Sequence, residues 1–325
     1  MTNLCLYSPT DLAKYVTPRA GETKLGEEII TLTDLNDLEN HPAEYVIFGI
    51  PEDIGVRANY GKEGARSTWN DFLSSFLNIQ KNKFNNPENC ILLGHINTDA
   101  FITDAAKIQE PEKLGSIVDA IDDVVTEVVT KIVRANKIPI AIGGGHNNAY
   151  GIIKGTSLGL ERSINVLNID AHTDLRAINY RHSGNGFSFA KDRKYLAKYA
   201  VFGLHKNYTP TYIFDAMDTD NHIEYVLFED MLHLSHLEKL VKYKKTSDFL
   251  DDYYGLEIDC DAIENFNSSA ITPTGFSVTN IRGFLNIARK QDVVYLHICE
   301  AITSQNPTIA KSLSYFVSDF IRRNP

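Results

Sequence analysis

Short apolar runs alternate with longer stretches of helical period along most of the chain, and that alternation predicts the architecture. Tyr45–Pro51 is apolar apart from one glycine and closes on a proline, which cannot extend a β-ladder. Ile91–Leu93, Ile138–Ile142, Val166–Ile169, Tyr199–Leu204, Ile223–Phe228, Tyr254–Asp259 and Val293–Ile298 read as further strands. Between Pro111 and Ala135, apolar Ile117, Ile121, Val124, Val125, Val128 and Ile132 recur at the spacing of a helix with one buried face. Helical spacing also marks Ser67–Leu77, Met231–Lys244 and Asn280–Lys290, and a helix opens at Ala149–Lys154. Strands alternating with helices predict parallel β-α-β units, with ligands expected outside the carboxyl ends of the strands. Residues 1–44 lack a sustained period and are expected to pack peripherally as short helical pieces and loops, within a single domain spanning 1–325.

Composition narrows the partners. A chain that is 43% hydrophobic and 23% charged can bury a large core, and its net charge of −10 argues against nucleic acid or an anionic membrane surface. Small molecules are the expected ligands. Cys5, Cys90, Cys260 and Cys299 have no C-x-x-C spacing, which fits a reducing compartment. No apolar stretch approaches the ~20 residues of a membrane span, and no secretory leader is evident near Met1, so the cytoplasm is the expected location.

Three strand ends carry the candidate chemistry. Ile138–Ile142 runs into Gly143-Gly-Gly-His146, where the missing side chains permit a sharp turn that brings an imidazole inward. Val166–Ile169 runs into Asp170-Ala-His-Thr-Asp174, whose alternate residues share a face. The third, Glu257-Ile-Asp-Cys-Asp261, places Asp259 and Asp261 at the same spacing, with Cys260 directed to the opposite side as a buried structural thiol. Four carboxylates and two imidazoles at one sheet edge would repel one another without cations. Oxygen-rich sites with some imidazole suit Mn²⁺, and shared carboxylates commonly bridge two ions that activate a water near neutral pH.

Gly144-Gly-His146, Asp170-Ala-His-Thr-Asp174 and Asp259-Cys-Asp261 resemble, in order, the three metal signatures of the ureohydrolases, the arginase, agmatinase and formimidoylglutamase superfamily. That resemblance covers about Val46 to Ala301 and implies a three-layer α/β/α fold around a mostly parallel sheet of about eight strands. It implies two Mn²⁺ per chain, with Asp170 and Asp259 bridging, His146 and Asp174 completing one coordination sphere and His172 and Asp261 the other. Glu300 falls where the family places a glutamate that grips an amidino group, and His182 lies near the family's proton-shuttling histidine. Gly145, Val56–Gly61 and Ser183–Phe187 look most like the formimidoylglutamase branch. The third signature departs from the family, which typically has serine where this chain has Glu257 and an aspartate-proline pair where it has Glu264-Asn265; that departure bears on substrate choice.

The expected activity is therefore hydrolysis of a C–N bond in a linear amidine, N-formimidoyl-L-glutamate to L-glutamate and formamide, as in histidine degradation. The alternatives are arginase or another guanidino-compound hydrolase, or a catalytically impaired relative acting as a binding protein. The substrate's two carboxylates call for basic groups nearby; Arg57, Arg176 and Arg181 are the candidates, with Asn185 orienting the substrate. By resemblance the chain forms a homo-oligomer.

Overall fold

The computed structural model describes residues 3–304 and 306–322. Nine strands form one sheet: β1 (Leu4–Leu6), β2 (Tyr45–Gly49), β3 (Cys90–Ile96), β4 (Ile138–Ile142), β5 (Ile164–Ile169), β6 (Leu196–Leu204), β7 (Ile223–Leu227), β8 (Tyr253–Asp259) and β9 (Asp292–Cys299). Their order is β1-β3-β2-β4-β9-β8-β5-β6-β7, and every neighbouring pair is parallel except β1 with β3. This is the mostly parallel α/β sheet that the alternation of apolar runs implied.

Side chains alternate across the pleat, and the core divides accordingly. Ile47, Ile140, Leu167, Leu256 and Ile258 face helices Thr68–Phe76, His236–Phe249, Val278–Ala288 and Pro307–Ile321. Val46, Phe48, Ala141 and Val166 face the long helix Pro111–Arg134 and helix Asn148–Leu160 on the other side. Pro111 sits in the first turn of the long helix, where a missing N–H costs nothing, and Val118, Ile121, Val125, Val128 and Ile132 form its buried stripe.

Three elements differ from expectation. Residues 1–44 are not all peripheral: β1 covers the free edge of β3, and Leu12 and Leu25 are buried in the core. The helix expected from Met231 starts at His236, because Ser235 and Glu238 form a reciprocal capping box that fixes its first turn. Helix Pro307–Ile321, whose Ile309, Leu313, Phe316, Val317 and Phe320 are buried, was not among the expected helices.

Candidate metal centre

Because β4, β9, β8 and β5 are consecutive in the sheet, the residues at their carboxyl ends meet. His146 follows β4, Glu300 follows β9, Asp259 and Asp261 close β8, and Asp170, His172 and Asp174 follow β5. The turn after β4 needs glycine: Gly143 and Gly144 have φ of +85° and +78°, and a Cβ on Gly144 would stand 2.8 Å from the Ile50 carbonyl oxygen. Gly145, where arginases and agmatinases usually carry aspartate, has no room for a side chain either, since its Cβ would lie 2.5 Å from Asn147 Oδ1 and 2.7 Å from Val56 Cγ2. Glu52, buried beyond β2, accepts hydrogen bonds from the Gly145 amide at 3.3 Å and from the Asn147 and Asn148 side chains, and so pins the loop carrying His146.

The other two motifs use one device twice. Asp170 Oδ1 accepts the His172 amide at 2.7 Å, and Asp259 Oδ1 accepts the Asp261 amide at 2.7 Å. Each turn leaves the second oxygen facing His146, whose Nδ1 lies 3.3 Å from Asp170 Oδ2 and 3.0 Å from Asp259 Oδ2. Asp174, at φ +48°, brings its Oδ2 to 2.8 Å from the same nitrogen. His172 Nδ1 is 3.5 Å from Asp170 Oδ1 and 3.7 Å from Asp261 Oδ2. All six side chains named from the sequence as metal ligands are thus brought together.

Whether these groups fit a cation can be judged from their hydrogen bonding. His146 Nδ1 is buried and surrounded by three carboxylates, yet none is aligned to bond with it. Buried polar atoms rarely go unsatisfied, and one ligand atom from each of His146, Asp170, Asp174 and Asp259 lies within 4.8 Å of the others, which suits a hard divalent cation. The charges agree. Burial, with Asp261 and Asp170 alongside, holds the Asp259 carboxyl well above the ordinary range, and burial likewise raises Asp174 and Asp261. Burial alone would also raise Asp170, but the adjoining His146 and His172 imidazoles hold it well below; burial alone would lower His172, but Asp170 pushes it up to about 10. Cations bound here would relieve the repulsion among these carboxylates, and their binding would favour the deprotonated ligands.

A cavity of about 430 Å³ opens over this cluster. Its wall includes His172, Asp174, Asp259, Asp261 and Glu300, with Arg176, Lys62 and Tyr208 above them. Glu300, at φ +62°, accepts the His146 amide at 2.5 Å through Oε1, while Oε2 is buried without a partner. Burial, followed by the charge of Asp261, pushes its carboxyl up to about 8. Tyr208 stacks on the His172 ring at 5.1 Å.

Several expected substrate residues lie elsewhere. Arg57 donates to the Ala105 and Ile108 carbonyls and pairs with Glu63 at 3.2 Å, which spends its guanidinium on loop anchoring. Arg181 is 1% exposed, bonded to Asp122 through Nε at 2.8 Å, to the Asn147 carbonyl at 2.8 Å and to Asn185 Oδ1 at 2.5 Å. Asn185 is occupied in the same network and holds the Tyr180 carbonyl at 2.9 Å. His182 is buried and does not line the cavity, although its neighbour Ser183 does; its Nδ1 accepts the Gly184 amide, and burial followed by the charges of Arg176 and Arg181 lowers it to about 4. Of the arginines named, Arg176 alone lines the cavity. Lys62 and Tyr208 were missed because nothing in their local sequence marks them. Glu257 lies beneath the cluster, fully buried, so its departure from the family pattern touches the support of the site and not the cavity wall. Cys260 is buried in the opposite core cluster, as its position in the pleat implied.

A parallel sheet whose central strand ends gather carboxylates and imidazoles around one cavity defines the chain as a ureohydrolase, a hydrolase of C–N bonds in linear amidines. The arginase family matches residues 43–313, and the chain belongs to that family. It is 26% identical over 247 residues to a formimidoylglutamase of Streptococcus gordonii, covering 71% of this chain and 69% of that protein. A formimidoylglutamase of Streptococcus pyogenes is 27% identical over 219 residues, 64% of this chain and 62% of the relative, so this chain spans about two thirds of these relatives. Among solved structures, the formimidoylglutamase of Bacillus subtilis superposes with a TM-score of 0.74 at 14% identity, covering 94% of this chain and 93% of that one. The formiminoglutamase of Trypanosoma cruzi with Mn²⁺ gives 0.72 at 17% identity, covering 92% and 97%. In sequence the chain is most like the formimidoylglutamases, in line with its glycine run, and the solved structures share its fold. Among the described residues no helix is long and apolar enough to cross a membrane.

Proposed function

We propose that this chain is a binuclear Mn²⁺ hydrolase that converts N-formimidoyl-L-glutamate and water into L-glutamate and formamide. The observation that supports the reading is that Asp170 approaches both His146 and His172, with Asp174 and Asp259 beside His146 and Asp261 beside His172, at a cavity that Glu300 also lines. Bound there, a pair of Mn²⁺ ions would supply Lewis acidity and a water activated near neutral pH. The chain's own residues do the rest. Glu300, steadied by the His146 amide, offers its free Oε2 to the cationic amidino nitrogens, and the ionised carboxylate is the form that binds them. Arg176 and Lys62 are the basic groups available to the two substrate carboxylates, the arginine by a bidentate pair and the lysine as a point charge. Tyr208, stacked on His172, restricts that ring and narrows the cavity.

Names of relatives support the substrate. A guanidino substrate remains the second reading, because Glu300 would grip a guanidinium as well as an amidinium; two basic groups over the cluster favour the dicarboxylate. A panel of N-formimidoyl-L-glutamate, arginine, agmatine and guanidino acids, assayed with Mn²⁺-loaded protein, separates them. Formamide release with the highest kcat/KM is expected, and faster urea release from any guanidino compound would overturn the assignment.

A further inference from the structure

Directly beneath His146, β8 and β9 face each other in three registered pairs, Gly255 with Tyr295, Glu257 with His297 and Asp259 with Cys299. Glu257, Tyr295 and His297 are each fully buried. His297 Nδ1 donates to Glu257 Oε2 at 2.5 Å and the Tyr295 hydroxyl donates to Oε1 at 2.8 Å. Gly255 makes this possible, because a Cβ there would stand 2.0 Å from the Tyr295 ring. A buried carboxylate with two donors still has capacity for a third. Glu257 Oε2 lies 3.6 Å from His146 Nε2, which has no hydrogen-bond partner of its own.

An imidazole offers a lone pair at one nitrogen only when its proton sits on the other, and a carboxylate behind a metal-binding histidine sets that choice. On the reading above that His146 is a metal ligand, we infer that Glu257, braced by Tyr295 and His297, is a positioning residue. It keeps the His146 proton on Nε2 and leaves Nδ1 for the cation shared with Asp170, Asp174 and Asp259. The glutamate that stands in place of the family's usual serine is thereby given a use, and its partners come from β9.

Calorimetric titration of the metal-stripped full chain with Mn²⁺, alongside its melting without metal, tests this. In Glu257→Gln a single amide oxygen faces donors from Tyr295, His297 and His146, so affinity at the His146 site should fall roughly 10–100-fold in folded protein. Tyr295→Phe keeps the ring and removes one donor; a loss of roughly threefold is expected, and this variant decides the matter if Glu257→Gln does not fold. A merely structural role would lower the melting temperature and leave affinity untouched. Unchanged affinity in the folded variants overturns the inference alone, whereas an unsubstituted chain that binds no Mn²⁺ overturns the metal reading of the whole site and this inference with it.

Discussion

Two faces of the same pair of strands, β8 and β9, do opposite work. One carries Leu256, Ile258, Leu296 and Ile298, all buried among aliphatic and aromatic neighbours. The other carries Glu257, Asp259, Tyr295, His297 and Cys299, equally buried but polar. The first face stabilises the fold by removing apolar area from water. The second costs stability, since buried charges are favourable only when paired. A protein that keeps such a face on its central strands shows where its chemistry lies, and substitutions on the two faces should fail in different ways.

The largest effect is expected on the polar face. Asp259→Asn should lower Mn²⁺-supported kcat/KM by about 1,000-fold or more, because on the proposed reading it removes a metal-binding carboxylate. Because burial and neighbouring aspartates hold Asp259 above its ordinary range, its ionised form costs folding free energy at neutral pH. The neutral amide should therefore melt no lower than the unsubstituted chain when both are metal-free. Ile258→Ala, one residue away and on the other face, should show the reverse. It should lose about 2–5 kcal/mol of stability by denaturant titration while kcat/KM of the folded fraction stays within about threefold. If the two variants fail alike, the division between the faces is wrong.

Gly255→Ala probes the point at which packing and chemistry meet. The added methyl collides with the Tyr295 ring, so overpacking of about 1–3 kcal/mol should be accompanied by weaker Mn²⁺ binding, read by melting and by titration. A further way to sharpen the comparison is the pH dependence of the metal-free chain. Glu300 is pushed up to about 8, so the folded state holds a proton there that the unfolded state has released above about 4.5. That contribution is present below pH 4.5 and is lost as pH rises through about 8. Metal-free stability should fall over this window, and Glu300→Gln should flatten the fall by up to about 1.4 kcal/mol per pH unit. With Mn²⁺ added the dependence should reverse over the same window, because binding needs deprotonated ligands.

Motifs at strand ends were legible because a spacing of two on a strand fixes which side chains share a face, whatever the rest of the chain does. Asp170, His172, Asp174, Asp259 and Asp261 were found that way, and His146 from the glycine run at the end of its strand. Loop residues were not legible. Whether Arg176 or Arg181 faces the cavity depends on the path of the loop, and Arg181 is claimed by Asp122, 59 residues away. Glu257 lies between these cases. Its position on the face of Asp259 follows from the alternation alone, but its pairing with His297 required knowing that β8 and β9 are neighbours. β1 has three residues, too few to show a period at all.

The central claim is that strand ends far apart in the chain hold two cations between them. Anomalous diffraction at the manganese absorption edge, from crystals of Mn²⁺-loaded protein, tests it most directly. Two peaks are expected, one among His146, Asp170, Asp174 and Asp259 and the other beside His172 and Asp261. A single peak, no peak, or manganese bound away from the cavity would contradict the account.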